Sequence, residues 1–554
     1  MGSRFRRKNR ETLVEARSPM RECIRFLLLL ALFGSLPLFA TAESLAQKGS
    51  AYSEIKPESK EWCSQLKQAA VRARGLDPGM RSYTLLLASR GLQKCAPQKV
   101  RATLIDAFMA SVALSDADAA KTGLQSAALR KLLRLDESTV EQLMPQADPE
   151  ARAEIQGAMV ERAVDKRDFD RALSLLNQIP SDQDYPYAAA TQLLLRLPAD
   201  HEAEKRAIFV DAMAHDREHS SLGVEGDDLS FMVVRFWRHF PPELVLDAIA
   251  QILDHSKTDD TQIAMKASSG PINFDNVYQY RLFELLPVLR ELDPSKAERL
   301  SNDPQVQAQL NKYPNGLQSL DPTVRDTPLR KGEEPGMRGV FMTKSPGASG
   351  KVLQNWHSAE IYQRQANEIL KQAGDDPRQA IATAATLPVQ AGHTVPRSET
   401  LLRIAQVGWK KNPSASKEAL EQMADSLKKV DPAMYGRVGL RVGVGLRVQY
   451  CWSDGVELAN NMKDTDLAGS LLQEGMEQAE RWKGVDGDDN DPNFALKAWW
   501  PSVALFSALL NSAAHISPQT ALELIHKFQD PDLVTLFQIR LANDRLGADE
   551  ESLH

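Results

Sequence analysis

The chain has 554 residues, 25% of them charged, and its 67 basic and 74 acidic side chains give a formal charge of −7. Cleavage after Ala42, argued below, would remove eight basic and three acidic side chains and leave −12. A chain that acidic is poorly suited to nucleic acid, which wants a basic face, and to anionic lipid surfaces.

The N-terminus reads as a leader. Phe26 to Ala42 carries no charge, Arg25 precedes it, and Ala40-Thr41-Ala42 supplies a small-x-small cleavage site, so residues 1–42 are expected to be a signal peptide and Glu43 the first mature residue. The apolar run is short for a membrane span, which needs about 20 residues, and Gly34 and Pro37 interrupt it. After the leader is removed, no membrane span is expected. Met20 followed by "RECIRF" would open an ordinary signal peptide by itself, so Met20 is an alternative start. Residues 43–56 are expected to be a flexible mature N-terminus.

Three cysteines lie beyond the leader. Cys63 falls early in the helical stretch "EWCSQLKQAAVRAR", and Cys95 ends the next, "YTLLLASRGLQKC". An antiparallel helix pair turning at "GLDPG" brings both to the same end. An exported compartment permits oxidation, so a Cys63–Cys95 disulfide is predicted, with two buried thiols as the alternative. Cys451 reads as a small buried hydrophobe.

From there the chain is helical almost throughout. "ARAEIQGAMVERAVDK", "RALSLLNQI", "SKEALEQMADSLKKV" and "DLAGSLLQEGMEQAERW" place apolar residues at three- and four-residue steps. There is no series of β-branched runs with period two, hence no sheet to host a doubly wound or barrel enzyme. One helix pattern recurs: a small or β-branched residue, then an aliphatic, with an apolar residue seven after the first. It fits Ala172 to Ile179, Val245 to Ile252, Ala380 to Leu387, Gly455 to Met462 and Ala521 to Phe528. The spacings, near 70 residues, are about two helical hairpins of roughly 34–47 residues each.

On this helix length and spacing, and on "RDFDRALSLLNQIP", the chain resembles the α-helical repeat proteins, loosely of tetratricopeptide or HEAT type. The resemblance implies a stacked superhelix that binds other molecules, and it carries no catalytic residues over. Between Pro314 and Gly350 the texture changes to Pro and Gly without helical period. The expected architecture is therefore an all-α solenoid of stacked helical hairpins in two halves, 57–313 and 353–548, joined by a linker or long loop over 314–352, with a tail at 549–554.

Two near-identical acidic phrases, "GVEGDD" from Gly223 and "GVDGDD" from Gly484, fall one in each half. They are expected to belong to a duplicated loop-plus-helix unit whose aspartates cap the next helix. "PELVLDAIAQIL" follows the first and "PQTALELIHKF" the second.

Three stretches hold candidate chemistry. His215, Glu218 and His219 match the H-x-x-E-H spacing in which two imidazoles and a third ligand hold a catalytic zinc, with Glu291 as a conceivable third ligand. The surroundings are polar, so a solvated helix end is the competing reading. "DGDDNDPNFALK" from Asp486 has oxygen ligands at positions one, three and five of a calcium loop, but Asp491 and Lys497 stand where glycine and glutamate are needed. Trp482, Trp499 and Trp500 flank that acidic loop, an arrangement that can stack on a sugar. There is no P-loop, dinucleotide glycine fingerprint or G-x-S-x-G elbow. The leading expectation is an exported, periplasmic or secreted, non-catalytic helical-repeat protein with a protein or peptide partner, without cofactor or metal. The alternatives are a glycan or cell-wall binding protein using the Trp-rich segment, and a zinc-dependent hydrolase using His215, Glu218 and His219.

Overall fold

Seven described helices open on Asp-Pro or Asn-Pro, and in all but the one at Asp148-Pro149 the side chain caps the helix. Asp77-Pro78, Asp293-Pro294, Asp303-Pro304, Asp376-Pro377, Asn412-Pro413 and Asp530-Pro531 each put a carboxylate or amide oxygen on the first free backbone N–H groups and a proline where no N–H is needed. At Asp77, for example, Oδ1 accepts from Gly79 N at 3.1 Å and Met80 N at 3.3 Å. This punctuation cuts the chain into short helices with short connections, the raw material of hairpin stacking.

The computed structural model describes residues 57–116, 118–180, 185–218, 228–267, 270–320, 342–344, 349–392, 394–431, 438–486 and 496–548. The leader, the segment before Pro57 and the tail lie outside them. In chain order the helices are α1 (Pro57–Ala73), α2 (Pro78–Cys95), α3 (Val100–Val112), α4 (Lys121–Leu135), α5 (Glu137–Leu143), α6 (Pro149–Asp165), α7 (Phe169–Leu176) and α8 (Tyr187–Arg196). Then come α9 (Glu202–Glu218), α10 (Leu229–Phe236), α11 (Pro242–Ser256), α12 (Val277–Leu292), α13 (Pro294–Leu300), α14 (Pro304–Lys312) and α15 (Leu317–Leu320). The remainder are α16 (Ser349–Ala373), α17 (Pro377–Ala384), α18 (Pro396–Gly408), α19 (Pro413–Leu427), α20 (Val438–Asn461), α21 (Thr465–Trp482), α22 (Pro501–Ile516), α23 (Pro518–Ile525) and α24 (Pro531–Arg545). The chain is all-α in class.

Most helices pack on their sequence neighbours, and the even-numbered helices also pack on one another in succession, from α2 through α14 and from α16 through α24. The repeat-like pattern found in the sequence follows this arrangement in part. Its copies starting at Ala172, Val245, Ala380 and Ala521 lie on α7, α11, α17 and α23, all outside the even row, with each of those four residues fully buried. The Gly455 copy lies on α20, inside it.

Two features go beyond the sequence expectation. A small antiparallel sheet of order β2-β1-β3 is built from β1 (Ile263–Ala267), β2 (Gly270–Phe274) and β3 (Met342–Lys344). Ile263 pairs with Phe274 on one side and Lys344 on the other. Thus residues 342–344, within the stretch expected to be a linker or loop, add a strand to a hairpin that helical periodicity cannot announce. The strands are too short for period-two alternation to register. β2 touches α14 and β1 touches α16, so the sheet spans the gap in the even row.

The second feature is that the last helix packs on the first two. Leu533, Leu536, Phe537, Ile539, Leu541 and Ala542 of α24 are all buried, so the helix is apolar around most of its girth, as a helix enclosed by neighbours must be. Asn543 Nδ2 donates to Leu87 O at 2.8 Å, Arg540 Nη2 to Tyr83 Oη at 3.3 Å and Arg72 Nη2 to Gln538 Oε1 at 2.6 Å. Gly91 permits this approach: a Cβ there would overlap Asn543 Oδ1 and Leu66 Cδ2. The helices before and after the 314–352 stretch therefore meet twice, at the sheet and at this seam.

The predicted disulfide is present. Cys63 and Cys95 are bonded with their Cα atoms 5.9 Å apart, joining the open ends of the α1–α2 hairpin. Cys451 is buried and outside any disulfide.

Candidate functional site

Two polar clusters each link several helices. The first is buried and gathers side chains from four consecutive helices. α12 carries Arg281 and Glu284 in an apolar stretch, "YRLFELL", with both side chains all but buried. Arg281 Nη2 donates to Asp228 Oδ2 at 2.6 Å and its Nη1 to Glu284 Oε2 at 2.6 Å; Nη1 also meets Ser230 Oγ. Ser230 Oγ lies 2.7 Å from Asp228 Oδ1 and 2.8 Å from Glu284 Oε2. Asp228 has a second task as N-cap of α10, accepting from Phe231 N at 3.0 Å.

Asp216, near the end of α9, adds a third buried carboxylate. It accepts from Gln251 Nε2 of α11 at 2.7 Å and lies 3.4 Å from His255 Nδ1. Between these groups is a recess of about 50 Å³, lined also by Ser256 and Asp259. That is room for a few waters at roughly 10–15 Å³ each.

The electrostatics follow from burial. Three carboxylates and one guanidinium share a buried site, and a buried charge without a partner is costly. Burial would weaken the Arg281 charge, but Asp228 and Glu284 outweigh it and hold the guanidinium above its ordinary range. Burial pushes the Glu284 carboxyl up despite Arg281. It pushes Asp216 up too, with Gln251 and His255 opposing and Asp228 reinforcing the shift. The cluster favours holding protons, and it ties α9, α10, α11 and α12 together.

The second cluster is half-buried and runs as a band across the even row. Arg403 Nη1 of α18 reaches Asn367 Oδ1 of α16 at 3.4 Å. Glu399 of α18 pairs with Arg447 of α20 at 3.0 Å, their side chains 18% and 15% exposed. Two turns on, Gln406 Nε2 donates to Asp454 Oδ2 at 3.0 Å. Burial pushes Asp454 up to about 6, Glu457 reinforces it, and hydrogen bonds from Tyr450 and Gln406 oppose it. The band continues to α22, where His515 Nδ1 lies 2.8 Å from Glu457 Oε1, and to α24, where Asp544 Oδ1 is 3.9 Å from His515 Nε2.

The residues singled out in the sequence fall elsewhere. His215 is buried, with Nδ1 3.0 Å from Asp211 O and Nε2 3.2 Å from Pro180 O, so both ring nitrogens face backbone carbonyls. Glu218 and Glu291 are exposed on different helices, and His219 lies outside the described residues. Among the described residues no group of three or more His, Cys, Asp or Glu side chains could hold a metal ion.

In the acidic segment, residues 487–495 lie outside the described residues. Trp482 is buried, while Trp499 is half-buried with its ring edge-on to Tyr83 at 6.2 Å. Lys497 pairs with Asp530 at 3.0 Å and Asp532 at 2.6 Å.

The two acidic phrases both send an aspartate to a helix start, from different places in the phrase. Asp228, the last residue of the first, caps α10. Asp486, the third residue of the second, accepts from Ser502 N at 3.3 Å near the start of α22. The counterparts of each, Asp489 and Glu225, lie outside the described residues.

Arg281, Glu284, Asp216 and Asp454 were not singled out by sequence reasoning. Arg281 and Glu284 carry a signal that could have found them: opposite charges three apart inside a nearly continuous apolar helix. No protein-family model matches this chain, and neither a curated protein nor a solved structure is significantly similar to it.

Proposed function

We propose that this is an exported, non-catalytic α-solenoid that acts by binding a protein or peptide partner along its even-numbered helices. The observation that carries the reading is the Asn367–Arg403–Glu399–Arg447–Gln406–Asp454–Glu457–His515 band. Consecutive helices of a stack present a continuous face, and function in such stacks lives on that face. The side chains of the band are of both signs and remain within reach of solvent, so they can exchange internal partners for those of a bound chain. The Cys63–Cys95 bond fits an oxidising compartment, and no described helix is long and apolar enough to cross a membrane.

Two equally exposed valines allow a controlled test. Val407, one turn beyond Arg403 on α18, and Val71, on α1, are each 63% exposed. A photoreactive residue at Val407 in cells should yield a discrete adduct that Arg403→Glu removes, while the same residue at Val71 yields none. Identical adducts from both positions would overturn the reading.

A further inference from the structure

We propose that the Cys63–Cys95 disulfide is a redox-controlled fastener for the seam between the two ends of the fold. With the bond formed, α24 stays docked on α1 and α2; with the bond reduced, α24 undocks while the helices between remain folded.

The placement of the bond carries the proposal. Cys63 lies one turn before Leu66 on α1, and Cys95 one turn after Gly91 on α2. A Cβ at Gly91 would overlap both Asn543 Oδ1 of α24 and Leu66 Cδ2 of α1, and Leu546 Cδ1 lies 3.4 Å from the same point, so the three helices meet there. The bond therefore fixes the spacing of α1 and α2 beside the point where α24 enters. The seam joins segments more than 450 residues apart, as the 456-residue separation of Asn543 and Leu87 records. Its polar anchors include Asn543 to Leu87, Arg540 to Tyr83 and Arg72 to Gln538. The bond holds α1 and α2 at the spacing that α24 fits, so a change in that spacing weakens the docking. Cys95 is half-buried whereas Cys63 is buried, so an attacking thiolate enters from the Cys95 side. A dithiol reductant supplies two electrons: the S–S bond breaks, each sulfur takes a proton, and the reductant leaves as its own disulfide.

Hydrogen exchange on the full chain tests this with dithiothreitol as the reductant. In the reduced protein, peptides from both the α1–α2 pair and α24 should lose protection together, by about one to two orders of magnitude. Peptides from α4 to α8 should keep theirs. The double variant Cys63→Ser/Cys95→Ser should behave like the reduced protein with or without dithiothreitol. Gly91→Ala, which leaves the bond intact, should release α24 directly. Loss of protection confined to α1 and α2 would overturn the proposal, because the bond would then be a local staple. Loss spreading through α4 to α8, or no loss at all, would overturn it equally.

Discussion

The Arg281 cluster and the Asp454 band are made of the same materials, carboxylates facing guanidinium and amide donors across neighbouring helices, and they differ chiefly in water. In the first, Arg281, Asp228 and Glu284 have side chains 3% to 5% exposed. In the second, exposure rises along the band from 15% at Arg447 to 45% at His515. Water sets what each contact is worth. In the dry cluster, removing one partner strands a charge, and the cost is large whatever the pair was worth intact. At the wet end of the band a lost partner is replaced by solvent and salt. The same bonds hold helices together in one place and leave them free to change partners in the other.

The largest effect should come from breaking the dry cluster asymmetrically. Arg281→Met leaves Asp228 and Glu284 buried without a cation and should destabilise the protein by about 3–5 kcal/mol. The triple variant Asp228→Asn/Arg281→Met/Glu284→Gln removes the charges together and should recover much of that loss. Urea unfolding midpoints read both. A triple variant no more stable than Arg281→Met alone would mean that hydrogen-bond geometry, rather than stranded charge, dominates.

The middle of the band should show itself in pH dependence. A carboxyl whose folded-state pKa is raised binds its proton more tightly when folded. Its stabilising contribution is fully present below the ordinary carboxylate value near 4. It is lost as pH rises through the folded value, which for Asp454 is about 6. Glu284 and Asp216 shift in the same direction and add to the slope. Thermal midpoints should fall between pH 4 and 6 more steeply in the native chain than in Asp454→Asn. The Asp454 share should be about 1–2 kcal/mol once solvent screening is allowed for. Equal slopes in the two proteins would place the titration elsewhere.

Most of what makes this fold helical is written locally, and most of what closes it is not. The Asp-Pro and Asn-Pro starts, the three- and four-residue apolar steps and the pairing of Cys63 with Cys95 are short-range signals, and the structure carries each. The seam between α24 and α2 depends on Gly91 and Asn543, which are distant in sequence and unremarkable within their own helices. β3 lies in a Pro/Gly-rich stretch and pairs only because a hairpin waits about 80 residues earlier, as the Ile263–Lys344 register shows. Of the candidate site, Asp228 was visible as a helix cap, but its bond to Arg281 spans 53 residues. His215 was read from spacing alone. Its neighbours in space, Pro180 and Tyr185, lie on the segment before α8 and meet its ring.

The smallest effect belongs to the wet end of the band, and its smallness is what sharpens the comparison. His515 bridges Glu457 of α20 and Asp544 of α24, with the three side chains 45%, 41% and 33% exposed. These contacts are ion pairs only when the imidazole carries a proton, and exposed ion pairs contribute about 0–1 kcal/mol. His515→Ala should therefore change stability by less than about 1 kcal/mol. The difference should shrink further as salt rises from about 0.05 to 0.5 M, where the screening length falls below about 5 Å. Urea unfolding of both proteins at the two salt concentrations supplies the measurement. A loss above about 2 kcal/mol that salt leaves untouched would mean that His515 is shielded from solvent in solution. The α20–α22–α24 contact would then belong with the Arg281 cluster as a fixed tie, and the face proposed for a partner would have to end at Asp454.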